Sequence, residues 1–213
     1  FAMDLAFWHT GINLTTAANA TLLANLTPVI VAVAAWRLYG ERLNAGFMAA
    51  AALALAGAGM LSAANLEIAP ERLIGDAFSA ATSLWYAAYM LAVRFARRGD
   101  SAPRIMFWTT LTAAPIALAL ALVFGERVVP ETWAGWLPLL ALGLVIHVVG
   151  QGGLAFGLGR VPAALASLII LVQPVIAACA GWILFSEALT ALQLAGAALV
   201  LVGVYVAQRF RAR

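Results

Sequence analysis

Lysine is absent from this sequence, cysteine occurs once, and charged residues fill only 10% of its 213 positions. Soluble globular domains are about one quarter charged, so the scarcity of charge excludes an ordinary soluble domain. The single cysteine, Cys179, excludes an intrachain disulfide. The sequence contains no Gly-x-Ser-x-Gly motif and no thiol–histidine arrangement, so it predicts neither an enzyme nor a bound cofactor.

Long uncharged segments make up most of the chain, and 65% of all residues are hydrophobic. The runs without a charged residue are 5–36, 43–66, 77–93, 105–125, 132–159, 161–186 and 188–208. A helix crosses the hydrocarbon core with about 20 residues, so each run is long enough to span it. The polar stretch 10–16 divides the first run. The sequence therefore predicts an all-α polytopic membrane protein with seven full spans and a fragment of another.

An internal repeat relates two distant parts of the chain. When residues 17–57 are placed over 163–203, an offset of 146, 20 of 41 positions are identical. Alanine and leucine inflate such a score in any membrane protein. The repeat also pairs Pro28 with Pro174, and this match is harder to dismiss. A repeat of this length indicates a duplicated structural unit.

The spacing of the repeat predicts that its second copy is inverted in the bilayer. Equivalent positions are five spans apart, and an odd number of spans reverses orientation, as in many secondary transporters. Arginine placement tests this independently. With the C-terminus in the cytoplasm, ten arginines lie at cytoplasmic helix ends and only Arg72 and Arg127 at outer ends. That distribution follows the positive-inside rule.

The same offset predicts the domain organisation. Residues 1–63 would be the remainder of a first repeat, with the end of one span and two full spans. Residues 64–213 would be the second, inverted repeat with five spans. We expect about two further helices and the start of a third to precede this sequence in the complete protein, which would then have ten spans.

Three segments carry a resemblance to a known family. They are Ala17-Ala-Asn-Ala-Thr-Leu-Leu-Ala-Asn-Leu-Thr-Pro28, Trp36-Arg-Leu-Tyr-Gly-Glu-Arg-Leu43 and the degenerate second copy ending Phe185-Ser-Glu-Ala-Leu189. With them, the chain resembles the drug/metabolite transporter superfamily, specifically the bacterial EamA-type proteins. The resemblance implies ten helices in two inverted five-helix repeats, with both termini cytoplasmic. Within the family, the chain looks most like the YddG-type exporters of aromatic amino acids, which implies amino acid export.

Polar and aromatic residues near the middle of the spans are candidate substrate-binding residues. Transporter sites lie near the bilayer midplane. A polar side chain at that depth is costly unless it faces a partner or a wet cavity. The predicted substrate-binding residues are Ser83, Trp85, Tyr86, Tyr89, His147, Gln151, Gln173 and His9.

Several of these residues also have a simpler interpretation. An aromatic pocket with hydroxyls at Tyr86 and Tyr89 would suit a substrate with an apolar part and a polar head, but helix packing explains the same residues. His147 and Gln151, one turn apart, could line a cavity or form interhelical hydrogen bonds, and His147 could carry a coupling proton. His9 could line the outer half of a cavity or anchor its helix at the interface. No metal site is predicted, because two such ligands lack a nearby carboxylate or cysteine.

Prolines at matching positions of the two copies, Pro28 and Pro174, predict kinks or hinges. Within a helix, proline removes a donor and clashes with the carbonyl four residues earlier, which could free that carbonyl to line a cavity. A static kink is the alternative. Asp4 lies roughly 13 Å from the outer end of its span at 1.5 Å per residue, which makes it a coupling-ion candidate. Because its partner cannot be read from the sequence, it is not among the predicted site residues.

These observations predict a secondary transporter of the bacterial inner membrane that moves small neutral or zwitterionic metabolites by alternating access, and the family resemblance implies that it exports them. The resemblance favours aromatic amino acids. No arginine lies inside a span, which disfavours phosphate or dianionic substrates. Nucleosides and drugs are alternative cargoes, and a membrane-embedded enzyme or a non-transporting assembly partner are alternative functions. The expected partners are a small-molecule substrate and the lipid bilayer, without nucleic acid; a monomer is compatible with the sequence.

Overall fold

The chain folds into a bundle of α-helices in the computed structural model, which describes residues 1–63, 66–67, 69–186 and 188–210. The helices are α1 (Ala2–Leu14), α2 (Ala17–Ala24), α3 (Thr27–Tyr39), α4 (Ala45–Ala63), α5 (Leu73–Ala96), α6 (Ala102–Val123), α7 (Trp133–Ala141), α8 (Gly152–Leu158), α9 (Ala163–Ile169), α10 (Val172–Phe185) and α11 (Ala191–Arg209). A π-helical segment, Leu142–Gln151, joins α7 to α8. The described residues contain no β-strand.

Six helical units of the described chain are long and apolar enough to cross a membrane. They are Ala17–Tyr39, Ala45–Ala63, Ala102–Val123, Trp133–Leu158, Ala163–Leu184 and Ala191–Arg209. The seventh predicted span, α5, has 24 residues and is about 36 Å long at 1.5 Å per residue. Its length suffices, but serine, threonine and tyrosine side chains make it more polar. The prediction of an all-α polytopic membrane protein is confirmed.

The bounds of the helices repeat at the offset of 146. Helices α2 and α9 begin at equivalent positions, and α4 and α11 both begin and end at equivalent positions. A left-handed residue ends α3 and α10 in the same place: Gly40 has a φ of 68° and Ser186 a φ of 56°. Positive φ is uncommon for a residue other than glycine, so its recurrence at Ser186 is informative. The duplication is visible in the backbone, while the inverted orientation of the two copies stays a prediction.

The most extensive helix contact joins α4 to α11 through small residues. A Cβ atom on Gly57 would lie 2.6 Å from the carbonyl oxygen of Gly196, and one on Gly203 would lie 2.8 Å from that of Ala50. Gly203 and Ala50 are the repeat equivalents of Gly57 and Gly196. Each helix thus contacts the other through equivalent positions, as expected when two equivalent helices are related by a local two-fold axis.

Helix α5 organises the other part of the bundle. It packs against α1, α2 and α3 and also against α8 and α9. Its buried Ala87, Met90 and Val93 form an apolar cluster with Val31 of α3 and Leu158 of α8. Because α5 contacts elements from both predicted repeats, residues at its middle lie where the repeats meet.

Arginine side chains gather at one end of the bundle. Arg94 donates to the carbonyl oxygen of Leu158 at 2.7 Å, and Arg97 donates to that of Ala155 at 3.0 Å. These bonds join the C-terminal ends of α5 and α8. The last two arginines of the chain lie outside the described residues. That this end faces the cytoplasm stays a prediction.

Candidate functional site

Four of the predicted site residues come together near the middle of α5. The rings of Tyr86 and Tyr89 stack with their centroids 6.1 Å apart. The ring of Phe1 lies 5.2 Å from that of Tyr89 and 5.3 Å from that of His147. The side chain of Tyr86 approaches the amide of Gln151. The structure thus joins residues of α5 and the π-helical segment into one group.

Asp4 belongs to the same group, although it was not among the predicted site residues. Two contacts set the register of α1 against α5: Gly11 with Ser79 and Phe1 with Tyr89. In both pairs the two residue numbers sum to 90, which means that one number rises along the interface as the other falls. The helices are therefore antiparallel, and by the same register Asp4 stands opposite Tyr86. Asp4 is only 8% exposed. We call Asp4, Tyr86, Tyr89, His147 and Gln151 the central cluster.

The π-helical segment places His147 and Gln151 in the central cluster. A π-helix is wider than an α-helix, is rare, and occurs frequently at functional sites. His147 Nε2 lies 2.7 Å from Thr110 Oγ1, which connects the segment to α6. The sequence predicted one continuous α-helix here. Glycine-rich sequence around the end of the segment weakens the α-helical preference, but hydrophobic periodicity does not distinguish the two helix types.

One polar atom of the central cluster is buried without a partner in the described chain, and the carboxylate of Asp4 is mostly buried beside it. Gln151 Oε1 is buried without a hydrogen bond. The buried carboxylate of Asp4 accepts no side-chain hydrogen bond from the described residues. Because buried polar atoms in proteins are nearly always paired, an unpaired amide oxygen beside a mostly buried carboxylate marks a candidate site for a polar ligand.

The other four predicted residues lie away from the central cluster. Ser83 is buried, and its hydroxyl donates 2.6 Å to the carbonyl three residues earlier in α5. Trp85 is 42% exposed and lies against Phe7, with ring centroids 6.0 Å apart. His9 of α1 and Gln173 of α10 are both exposed. Their assignment to substrate binding stays a prediction.

Both prolines lie in the first turn of a new helix rather than in the middle of a continuous one. The chain breaks between α2 and α3 before Pro28, and between α9 and α10 before Pro174. Proline is well tolerated there, since its missing donor has no helical partner. The carbonyl of Ala24 accepts the Thr27 hydroxyl at 2.8 Å, and that of Ile170 accepts the backbone N–H of residue 173 at 2.8 Å. These carbonyls are therefore paired, and the hinge role of the prolines stays a prediction.

Asp76 ties the start of α5 to the connection between α1 and α2. Thr15 Oγ1 donates to Asp76 Oδ1 at 2.6 Å, and Asn19 Nδ2 donates to the same oxygen at 3.2 Å. Asn19 Nδ2 also donates to the carbonyl oxygen of Glu67 at 2.7 Å. This network lies at the end of the bundle opposite Arg94 and Arg97. From the sequence, a carboxylate at the start of a predicted span is typical of a helix-end group, but the sequence does not show these partners.

Glu41 caps a helix far away in the sequence. Its Oε1 accepts the backbone N–H of Ala163 at 2.7 Å, and its Oε2 accepts that of Ala164 at 3.1 Å. These are unpaired donors of the first turn of α9, and a carboxylate also complements the helix dipole there. The repeat offset of 146 pairs Glu41 with Glu187, and a carboxylate at the same place in both copies was the sign in the sequence that Glu41 has a structural role. Glu187 itself lies outside the described residues.

Two cavities lie away from the central cluster. One, of about 220 Å³, is lined by apolar side chains of α3, α4 and α9, among them Val33, Phe47 and Leu168. The other, of about 370 Å³, lies between α1 and the start of α5 against Phe7 and Phe78. Both are apolar, so neither supplies a partner for a polar substrate head. The central cluster is the better candidate because it combines aromatic rings with unpaired polar groups.

Two curated proteins are similar to this chain. An uncharacterized transporter of Archaeoglobus fulgidus is 30% identical over 207 residues, which cover 97% of this chain and 73% of that protein. The aromatic amino acid exporter YddG of Ancylobacter novellus is 30% identical over 154 residues, which cover 70% of this chain and 50% of the exporter. Both relatives are named as transport proteins.

A solved structure and a family model cover nearly the whole chain. A protein crystal structure superposes with a TM-score of 0.83 at 26% sequence identity, over 99% of this chain and 73% of that one. The model of the EamA-like transporter family matches residues 1–63 and 73–208. The chain therefore belongs to the EamA-like transporter family.

Proposed function

We propose that this protein is a secondary transporter that exports small neutral or zwitterionic metabolites, with amino acids and aromatic ones first among them. The observation that carries the proposal is the central cluster, in which buried polar groups and aromatic rings meet near the middle of α5. Polar side chains at that depth are expensive in a membrane protein and are functional by default.

The chemistry of the cluster favours a substrate with an apolar body and a polar head. The stacked rings of Tyr86 and Tyr89 offer an aromatic surface. The unpaired oxygen of Gln151 and the carboxylate of Asp4 offer acceptors beside it. An amino acid with an aromatic side chain has both parts, and the name of the Ancylobacter relative supports that cargo.

Two polar contacts suggest how the site is exposed to one side at a time. In the proposed repeat division at residue 63, Glu41 of the first repeat holds α9 of the second. At the opposite end, Asp76 of the second repeat holds Thr15 of the first. Release of one contact while the other holds would open a single side of the cluster, which is alternating access by rocking of two repeats.

The arginine distribution supports an orientation in the bacterial inner membrane. Arg94 and Arg97 gather at the Glu41 end of the bundle. By the positive-inside rule that end, together with the C-terminus, would face the cytoplasm. The proposed partners are the small-molecule substrate and the lipid bilayer.

Transport by the full-length protein in proteoliposomes tests the proposal. Labelled phenylalanine, tryptophan and leucine should move down an imposed gradient faster than in empty liposomes. The variant Tyr86→Ala should slow this flux while the protein still elutes as a folded species. Absence of flux for every amino acid would reject the proposed cargo, and a Tyr86→Ala variant with normal flux would reject the central cluster as the site.

A further inference from the structure

The Asp4 carboxylate sits within the central cluster with no arginine or lysine side chain paired to it among the described residues. The register of α1 against α5 places it opposite Tyr86, about 10 Å deeper than the Gly11–Ser79 contact at 1.5 Å per residue. It is buried, yet no described side chain donates a hydrogen bond to it. Transfer of a carboxylate out of water is costly, so a buried carboxyl group either takes up a proton or gains a positively charged partner.

Among the described residues, no arginine or lysine of the helices around Asp4 could serve as this partner. The stretch 1–36 contains no arginine or lysine, and neither does 132–159. On α5, the basic residue nearest to Tyr86 is Arg94, two helical turns further on. Its guanidinium is engaged with the carbonyl of Leu158 at the end of the bundle. A ligand that carries a positive charge would complement the Asp4 carboxylate.

The side chains around Asp4 indicate the chemistry of a ligand that would fit there. The tyrosine rings beside it provide an aromatic surface, and the Gln151 Oε1 is an unpaired acceptor. A protonated primary amine has several N–H donors and one positive charge. It can therefore donate to a carboxylate and to an amide oxygen at once, with its apolar body against the rings.

We propose that Asp4 binds the ammonium group of the transported molecule, so that the substrate class is a primary amine with an apolar or aromatic body. This inference rests on the proposed function and adds that the site recognises the positive charge of the substrate's ammonium group. Asp4 and Gln151 hold the ammonium group, and Tyr86 and Tyr89 hold the body. A molecule that carries only a carboxylate is rejected by the negative charge of Asp4.

Binding of matched ligand pairs to the purified full-length protein tests this assignment. The pairs are tryptophan with indole-3-propionate and leucine with 4-methylpentanoate, which differ only in the amine. Binding is measured as ligand-induced thermal stabilisation, which reports affinity without transport. The wild type should bind each amine more tightly than its amine-free partner. Equal affinity within both pairs, or no binding of either amine, would overturn the proposal.

The Asp4→Asn variant is nearly isosteric and removes only the charge. Its affinity for tryptophan and leucine should fall roughly tenfold to a hundredfold, as expected for loss of a hydrogen bond to a charged group. Affinity for the amine-free partners should not fall. The matched control is Asp100→Asn, which makes the same change at an exposed ion pair with Arg104 and should leave all affinities as in the wild type. An equal loss for both members of each pair would contradict an ammonium site.

Counterflow in proteoliposomes distinguishes the substrate's ammonium group from a free coupling cation at Asp4. If Asp4 binds the substrate, Asp4→Asn loses exchange of labelled for unlabelled tryptophan. If Asp4 carries only a driving cation, the variant keeps exchange and loses accumulation against a gradient, and the proposal is overturned. A wild type that binds amines selectively but moves none would instead reject the proposed transport function, while the Asp4 assignment would stand.

Discussion

The pair of helices α4 and α11 differs from the unit formed by α6, α7, the π-helical segment and α8 in how its helices meet. Helices α4 and α11 pack along each other through small residues, with backbone against backbone at Gly57 and Gly203. In contrast, α7 and the π-helical segment bury no residue in the described structure. The segment meets α6 through a polar pair, His147 with Thr110.

The difference is one between a closely packed framework and the proposed binding surface. Small residues let two helices approach closely, and such an interface gains its stability from dense packing and leaves no space for a ligand. A helix that carries a histidine and a glutamine at mid-depth gains little packing and bears the cost of polar groups in hydrocarbon. Substitutions in the first region should therefore change stability, and substitutions in the second should change transport.

The largest effect is expected for Gly57→Ala in the framework. The new Cβ would lie 2.6 Å from the carbonyl oxygen of Gly196, so the two backbones must separate. Overpacking of this kind costs roughly 1–3 kcal/mol of unfolding free energy. Thermal unfolding in detergent measures the loss. Gly59→Ala is the control, because its Cβ meets only Leu22 Cδ1 at 4.0 Å. Equal melting temperatures for the two variants would contradict this packing.

The Glu41→Gln substitution should loosen the start of α9. A glutamine side chain can accept from one of the two backbone donors, but its amide group repels the other. We expect hydrogen–deuterium exchange at Ala163 and Ala164 to accelerate roughly tenfold, as for a lost charge-assisted hydrogen bond of about 1.5 kcal/mol. Asp76→Asn, at the opposite end of the bundle, should leave exchange at these two amides unchanged. Protection that persists in Glu41→Gln would show that other contacts hold α9.

Adjacent aromatic residues on α5 should respond differently to truncation. Tyr86→Ala removes a ring of the central cluster and should lower amino acid flux roughly tenfold, which corresponds to about 1.4 kcal/mol of lost aromatic contact. Trp85→Ala should have a smaller effect, because its ring is 42% exposed and packs on Phe7. Initial rates in proteoliposomes with equal amounts of reconstituted protein provide the measurement. A larger effect at Trp85 would move the binding surface to the other side of α5.

A smaller effect is expected when the hydroxyl that orients His147 is removed. Thr110→Val deletes the 2.7 Å contact with His147 Nε2. Flux should fall roughly twofold to tenfold, the range expected for one neutral hydrogen bond. Thr112→Val is the matched control. The hydroxyls of Thr110 and Thr112 each donate to the carbonyl oxygen four residues earlier in α6, at 2.8 Å. Only Thr110 also contacts His147. If both variants transport equally well, His147 does not depend on this contact.

The sequence predicted most of the fold because its signals are long and regular. Uncharged runs of about 20 residues mark spans regardless of what packs against them. The repeat register anticipated matching helix bounds, which the structure has in α4 and α11. Pro28 and Pro174 predicted kinks within continuous helices, whereas the structure starts a new helix just before each proline, and no pattern anticipated the π-helical segment. Both depend on local backbone hydrogen bonds that hydrophobic runs do not encode.

The candidate site was predicted only in part. Depth along each span selected Tyr86, Tyr89, His147 and Gln151, which the structure brings together. Depth also selected Ser83, which is buried away from the cluster, and Trp85 and Gln173, which are exposed, as is His9, predicted to lie in the outer half of a cavity. A position along a helix gives the depth of a residue but not the direction in which its side chain points. The direction depends on how each helix is rotated against its neighbours.

The sequence by itself determined that this is a polytopic helical membrane protein with an internal repeat and the motifs of one transporter family. Those properties depend on the order of residues along the chain. Only the tertiary structure decided that Asp4 stands opposite Tyr86 and that Glu41 caps α9. The physical reason is that such contacts are set by the register between packed helices. That register results from the fit of many side chains at once rather than from any local pattern.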